Sequence, residues 1–444
     1  MPFRCVIMGA AGRDFHDFQA FFRVRSAEFR VVAFTAAQIP FIAGRAFPRE
    51  LAGVGYDADI PIVPEAELPD LIRVHEVDFV FLAYSDLPHE EVMHRAALAQ
   101  AAGAAFALLG PRQTQLVSRR PVVSVTAVRT GAGKSPIVHA LATALRARGV
   151  RAVALRHPMP YGDLRSARVQ RFADEADLAA ASCSIEEREE YEPYLESGLV
   201  VFAGLDYRAI LAAAEQEADV VLWDGGNNDY PFVRPDLSIV VADALRPGHE
   251  VSYHPGETNL RTADVVVINK VSGAAPGAAA TIRAHAAALA PRAVILESDL
   301  AVDVDRPGDV EGRRVLVVED GPTLTHGGMA SGAGLVAARA HGARALVDPR
   351  TCAVGSIAEA LARYPHIGPV LPALGYSAAQ RRELQETIDR SGAEVVVDAS
   401  PARLDRFLAL RLPVVRVRYR FEQRAGPPLL ELVWRVVARH GGGP

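Results

Sequence analysis

Short apolar runs alternate with stretches of helical spacing along the whole chain. In the first part these are CVIM (5–8), FRVVAF (29–34), DFVFLA (78–83) and AAFALL (104–109). Runs this short, set between helix-like segments, predict parallel strands covered on both faces. A second series follows Arg119-Arg120-Pro121: VVSVTAV (122–128), VRAVAL (150–155), DVVLWD (219–224), LSIVVAD (237–243), DVVVIN (264–269) and AVILES (293–298). A third follows Arg313-Arg314: VLVVED (315–320), ARALVD (343–348), PVLPAL (369–374), EVVVDA (394–399) and PVVRVRY (413–419). The pattern predicts an α/β protein. A Rossmann-like domain is expected over 1–119, a second parallel-sheet domain over 120–312 and a C-terminal α/β region over 313–444. At 444 residues the chain is too long for one ordinary core. The acidic stretch Glu186–Glu190 reads as a solvated helix face.

Composition narrows the function classes. The net charge of −5 makes neither nucleic acid nor an acidic membrane surface an expected partner. The three cysteines, Cys5, Cys183 and Cys352, have neither disulfide-framework nor zinc spacing. No apolar run is long enough to span a bilayer and no signal-peptide pattern opens the chain. A cytoplasmic location is expected. Of the 48 basic residues only two are lysines, Lys134 and Lys270. Where one ammonium must reach between phosphates, arginine is a poor substitute.

Lys134 lies in Val128-Arg129-Thr130-Gly131-Ala132-Gly133-Lys134-Ser135, between strand 122–128 and a helix with Pro136 in its first turn and Gly149 past its end. This is the context of a P-loop, so 120–312 reads as a P-loop NTPase domain. The glycines let backbone N–H groups turn inward around phosphates; Lys134 would reach the β- and γ-phosphates and Ser135 would hold Mg²⁺. The first glycine of the usual pattern is Val128 here, while the GAGKS core is intact. Counted from the lysine, Arg129 stands where the deviant P-loops of dimeric ATPases carry a second basic residue that reaches the partner's nucleotide. A homodimer is therefore expected, with an ordinary loop arginine as the alternative. Asp224, ending DVVLWD, is the candidate Walker B carboxylate for Mg²⁺. Asn269-Lys270 ends another strand and resembles a guanine-reading NKxD motif, but its fourth position is Ser272. Without that carboxylate ATP is favoured over GTP, with Asn269 free to pair with the base edge.

The substrate candidates lie in three polar loops beside strands. The first carries Arg156, His157, Tyr161, Asp163 and Arg165; Arg168 and Arg171 follow at helical spacing and are expected to share a face with Arg165. The second carries Glu257 and Arg261, the third His326. Arginine and histidine concentrated in this way suit a small polyanion. The N-terminal Gly9-Ala10-Ala11-Gly12-Arg13-Asp14 resembles a dinucleotide fingerprint without its third glycine, and Thr35-Ala36-Ala37-Gln38 offers no acid for a ribose.

Together VRTGAGKSP (128–136), RHPMPYGDL (156–164), WDGGNND (223–229), PGETNLRTADVVVINK (255–270) and EDGPTLTHGGM (319–329) resemble the cyclic 2,3-diphosphoglycerate synthetase family. The resemblance implies an ATP- and Mg²⁺-dependent ligase that joins the two phosphates of 2,3-diphosphoglycerate, with Lys134, Arg156, His157 and Asp224 as its catalytic residues. The P-loop domain also resembles dethiobiotin synthetase, which phosphorylates an oxyanion and closes a ring with loss of phosphate. Two other classes stay open: another ATP-dependent ligase on the same scaffold, and a P-loop GTPase or assembly factor.

Overall fold

The computed structural model describes residues 1–10, 12–37, 45–156, 164–165, 167–183, 185–226, 229–325, 327–375, 377–400 and 403–440. The chain forms two compact units, one of residues 1–171, 201–297 and 425–444, the other of 172–200 and 298–424.

The first unit contains two large sheets and a short antiparallel pairing of Leu87–Pro88 with Tyr253–His254. The N-terminal one contains β1 (Phe3–Met8), β2 (Phe29–Ala36), β3 (Ile60–Pro64), β4 (Phe79–Leu82) and β5 (Ala105–Ala107), parallel in the order β3-β2-β1-β4-β5, with Ala46–Phe47 antiparallel on the outer side of β3. Alternation along β1 divides two cores. Cys5 and Ile7 join an aromatic cluster with Phe15, Phe18, Phe22 and Phe34, while Val6 and Met8 face Leu68, Ile72, Val80 and Val92. Rings in the first cluster meet edge to face, as Phe15 and Phe34 do at 5.2 Å and 88°.

The second sheet contains β6 (Val122–Ala127), β7 (Ala152–Arg156), β8 (Val200–Ala203), β9 (Val220–Asp224), β10 (Leu237–Asp243) and β11 (Val265–Asn269). Its order is β8-β7-β9-β6-β10-β11, extended by residues 294–297 beside β11. Every residue of β6, β9, β10 and β11 is buried, as the unbroken apolar runs require. Helix α1 (Lys134–Ala147) buries Ile137, Val138, Leu141 and Leu145, and Gly149 follows its end at φ +79°. The strand next in sequence, β7, is not the neighbour of β6, because β9 lies between them. The last helix, Leu429–His440, belongs to this unit; Glu431 pairs with Arg148 at 2.7 Å.

The second unit has its own parallel sheet, in which β13 (Val395–Ala399) lies between β12 (Arg314–Glu319) and β14 (Val414–Ala425). Ala345–Leu346 and Leu371–Pro372 also pair with β12. Glu319, at the end of β12, is buried and accepts N–H bonds from Gly332, Gly334 and Leu335 at the start of helix Ala333–Ala340. The α/β class with parallel sheets is the one the sequence pattern predicts, while residues 172–200 and 298–312 fall in the second unit and 425–444 in the first.

Candidate functional site

After β6 the backbone turns through Val128–Gly133 and enters α1 at Lys134. Gly131 and Gly133 have φ of +78° and +102°, a region glycine enters without the clash of a Cβ. The outer side of this turn fixes its orientation. Three successive carbonyls each accept a hydrogen bond: Thr130 from Arg246 Nη2 at 2.6 Å, Gly131 from Lys270 Nζ at 2.6 Å, and Ala132 from Asn269 Nδ2 at 2.8 Å. With these carbonyls held outward, the N–H groups of Gly131, Gly133 and Lys134 face the concave side, at the positive end of α1, while that of Ala132 donates to the Arg129 carbonyl at 3.3 Å. Asp243, buried opposite Asn269 in the β10–β11 register, ties the donors together. Its Oδ2 lies 3.0 Å from Lys270 Nζ and 2.8 Å from Arg246 Nη2.

Lys134 is buried inside the turn. Burial pushes its ammonium down to about 8, partly opposed by the carboxylate of Asp224. Asp224 ends β9 opposite Arg156 on β7, and Arg156 Nη1 lies 2.8 Å from Asp224 Oδ1. Both are buried, so each offsets the other's desolvation. His139 on α1 senses the same pair, and burial pushes it down to about 4. Ser135 follows Lys134 in the first turn of α1. The residues present suit Mg-ATP: inward N–H groups and Lys134 for the phosphates, Ser135 and Asp224 as oxygen donors for Mg²⁺.

Asn269 and Lys270 thus support the loop from behind through Ala132 and Gly131. Arg129 is engaged within its own chain: its Nε is 2.8 Å from Asp86 Oδ1, its Nη1 3.0 Å from His249 Nδ1, and its guanidinium lies 3.7 Å over Tyr253. Asp86, which follows β4, brings the N-terminal sheet to the phosphate loop. Helix α2 (Gly256–Arg261) abuts the loop so closely that a Cβ at Gly256 would stand 2.3 Å from the Val128 carbonyl oxygen. On that helix Glu257 and Arg261 pair with each other at 2.6 Å.

His157, Tyr161, Asp163 and His326 lie outside the described residues. Arg165, Arg168 and Arg171 do not share a helix face. Residues 167–169 form a turn and bend, and Gln170–Phe172 is a short strand. Each arginine meets a different acid: Glu50 at 3.4 Å, Asp206 at 2.9 Å and Glu217 at 2.7 Å respectively. Asp86, His139, Asp243 and Arg246 belong to none of the sequence motifs. Asp243 had a usable signal, since it ends a buried strand as Asp224 does.

No family model matches the chain. The arginine synthetase ArcE of Thermococcus kodakarensis is 54% identical over 430 residues, 97% of this chain and 96% of that protein. A tetraacyldisaccharide 4'-kinase of Geobacter sulfurreducens is 32% identical over 163 residues, 35% of this chain and 45% of the kinase. Among solved structures, LpxK from Aquifex aeolicus in complex with ATP is 13% identical with a TM-score of 0.41, over 78% of this chain and 95% of that one.

Proposed function

We infer the reaction from one premise: the chain belongs to the family of the Thermococcus kodakarensis arginine synthetase. We propose that it is an ATP-dependent synthetase forming the guanidinium of arginine. The observation that carries this is the identity of 54% over 97% of the chain. The phosphate cradle around Lys134 supports it by supplying what such a synthesis needs.

Arginine differs from its ureido counterpart, citrulline, by a nitrogen in place of one oxygen. That oxygen is a poor leaving group. Transfer of the γ-phosphoryl of ATP to it gives ADP and a phosphorylated isourea. Ammonia then attacks the central carbon, and the oxygen departs within phosphate. The balance is citrulline, ammonia and ATP to arginine, ADP and phosphate. Lys134 and the N–H groups of the loop hold the β- and γ-phosphates, where preorganised donors favour the charge of the transition state. Asp224 and Ser135 would hold Mg²⁺, which when bound neutralises phosphate charge. Arg156, beside Asp224, would assist the transferred group.

A second reading uses the same steps on 2,3-diphosphoglycerate, one substrate phosphate being phosphorylated and the neighbouring one closing the ring. Five sequence segments favour it, from VRTGAGKSP to EDGPTLTHGGM. One set of assays separates the two. The protein with Mg-ATP, citrulline and ammonium is followed by chromatography for arginine, and with Mg-ATP and 2,3-diphosphoglycerate by phosphorus NMR. Arginine formation with stoichiometric ADP is expected. Ring closure without arginine would replace the first reading with the second. GTP hydrolysis with neither product would favour a nucleotide switch.

A further inference from the structure

The N-terminal sheet has a topological switch at β1, with β2 on one side and β4 on the other. Crevices at the carboxyl ends of such strands are where α/β sheets bind ligands. The turn after β1 does not suit a pyrophosphate. Its own Asp14 lies in the anion position, both carboxylate oxygens 3.2 Å from the Gly12 nitrogen. A Cβ on Gly9 would stand 2.9 Å from Asp14 Oδ2.

The next residues are directed elsewhere. Arg13, 2% exposed, lies with its guanidinium 4.2 Å over the ring of Tyr230 and its Nε 3.4 Å from Asp17 Oδ2. His16 stacks on Phe232 at 4.0 Å. Tyr230 and Phe232 come from the segment just after Asp224, and the ring of His254 is 6.3 Å from that of Tyr230. A Cβ on Gly225 would lie 3.2 Å from Trp223 Nε1 and 3.6 Å from the Asp229 carbonyl oxygen. The crevice of the N-terminal sheet therefore opens on the end of β9, beside the phosphate site.

This surface is polar, buried and under-used. Nε and Nη1 of Arg13, Oδ1 of Asp17, Nε1 of Trp223 and Nε2 of His254 make no hydrogen bond among the described residues. Buried groups of this kind are normally satisfied, and a concentration of exceptions calls for an explanation such as a ligand. An open groove of about 450 Å³ is lined by Gly110–Gln113 and by none of these side chains; it starts directly after Leu109, whose carbonyl accepts from Arg13 Nη2 at 3.2 Å. The charges are mixed: one guanidinium with the carboxyl groups of Asp17 and Asp229, both buried. Burial pushes Asp17 up to about 7, so a cationic ligand group would complete its ionisation.

We propose that Arg13, Asp17, Asp229, Trp223 and His254 form the pocket for the α-amino and α-carboxylate groups of an amino-acid acceptor, its side chain directed toward the phosphate loop. Arg13 takes the carboxylate; Asp17 and Asp229 take the ammonium. Two acids beside the cation disfavour a polyphosphate. The proposal rests on the arginine-forming reading.

Its test compares citrulline with two analogues, one lacking the α-carboxylate and one lacking the α-amino group, in the full-length protein. Arg13→Gln is expected to raise the KM for citrulline at least 30-fold, to leave the KM for ATP within twofold, and to abolish discrimination against the decarboxylated analogue. Asp17→Asn, nearly isosteric, is expected to abolish discrimination against the desamino analogue. It also serves if Arg13→Gln fails to fold. Retained discrimination in both variants, with arginine still formed by the parent protein, would overturn the pocket and leave the reaction intact. A parent protein that forms no arginine would overturn the reaction, and this pocket with it.

Discussion

Replacing Lys270 by methionine removes one ammonium and keeps a side chain of similar length. The Gly131 carbonyl loses its donor at 2.6 Å, and Asp243 loses one of its two cations. An unsatisfied buried carbonyl costs about 1–3 kcal/mol. The roughly 3–5 kcal/mol of an abandoned buried charge is not incurred in full, since Arg246 still holds Asp243. A stability loss of about 2 kcal/mol is expected. The freed Gly131 peptide can rotate, so Mg-ATP affinity should fall about tenfold, or about 1.4 kcal/mol. Urea unfolding gives the first quantity and titration calorimetry the second. Lys134→Met is the contrast, because it relieves a desolvation cost: nucleotide binding should be lost with stability unchanged or raised. Lys270→Arg should not rescue, since a planar fork does not replace a compact ammonium. If Lys270→Met changed neither quantity, or matched Lys134→Met in both, the outward pinning of the loop would be refuted.

Three further outcomes are expected. With Lys134 lowered from 10.5 to about 8 in the free protein, phosphates favour its charged form, so binding takes up a proton near pH 8 and affinity falls with rising pH above it, about tenfold per unit until the bound-state pKa is reached; calorimetry in buffers of different ionisation enthalpy would show no proton uptake if this is wrong. Because Arg129 is held by Asp86 and His249, mixing Arg129→Ala with Lys134→Ala subunits should restore no activity, and restoration would mean that Arg129 acts across an interface. ATP should bind at least tenfold more tightly than GTP, with Ser272→Asp narrowing the gap; tighter GTP binding by the unaltered protein would overturn the reading of that position.

The strands were legible because parallel strands buried on both faces are written as continuous apolar runs, as in Val265–Asn269. Ile60–Pro64 was missed because its two prolines argue against a ladder, which tolerates them only at edges and ends. Val200–Ala203 was missed because four residues beyond an acidic helix carry little pattern. Lys134 and Asp224 were legible because their roles follow from neighbours in sequence. Arg246 was not, since its partner Thr130 lies 116 residues away. The arginines at 165, 168 and 171 misled because their spacing presumes a helix that the backbone does not form.

The scarcity of lysine has a practical consequence. Lys134 is 8% exposed and the Lys270 side chain 15%, and the chain has no other lysine. Apart from its α-amino group, the protein surface thus offers almost nothing to an amine-directed acylating reagent, however many arginines it carries. Burial pushes both ammonium groups down, Lys134 to about 8, but Lys270 is held by Asp243 and the Gly131 carbonyl. A small activated ester should therefore behave as a reporter of a single loop. Its slow, nucleotide-protected incorporation would count unoccupied phosphate sites in a mixture, with no mutation and no engineered tag.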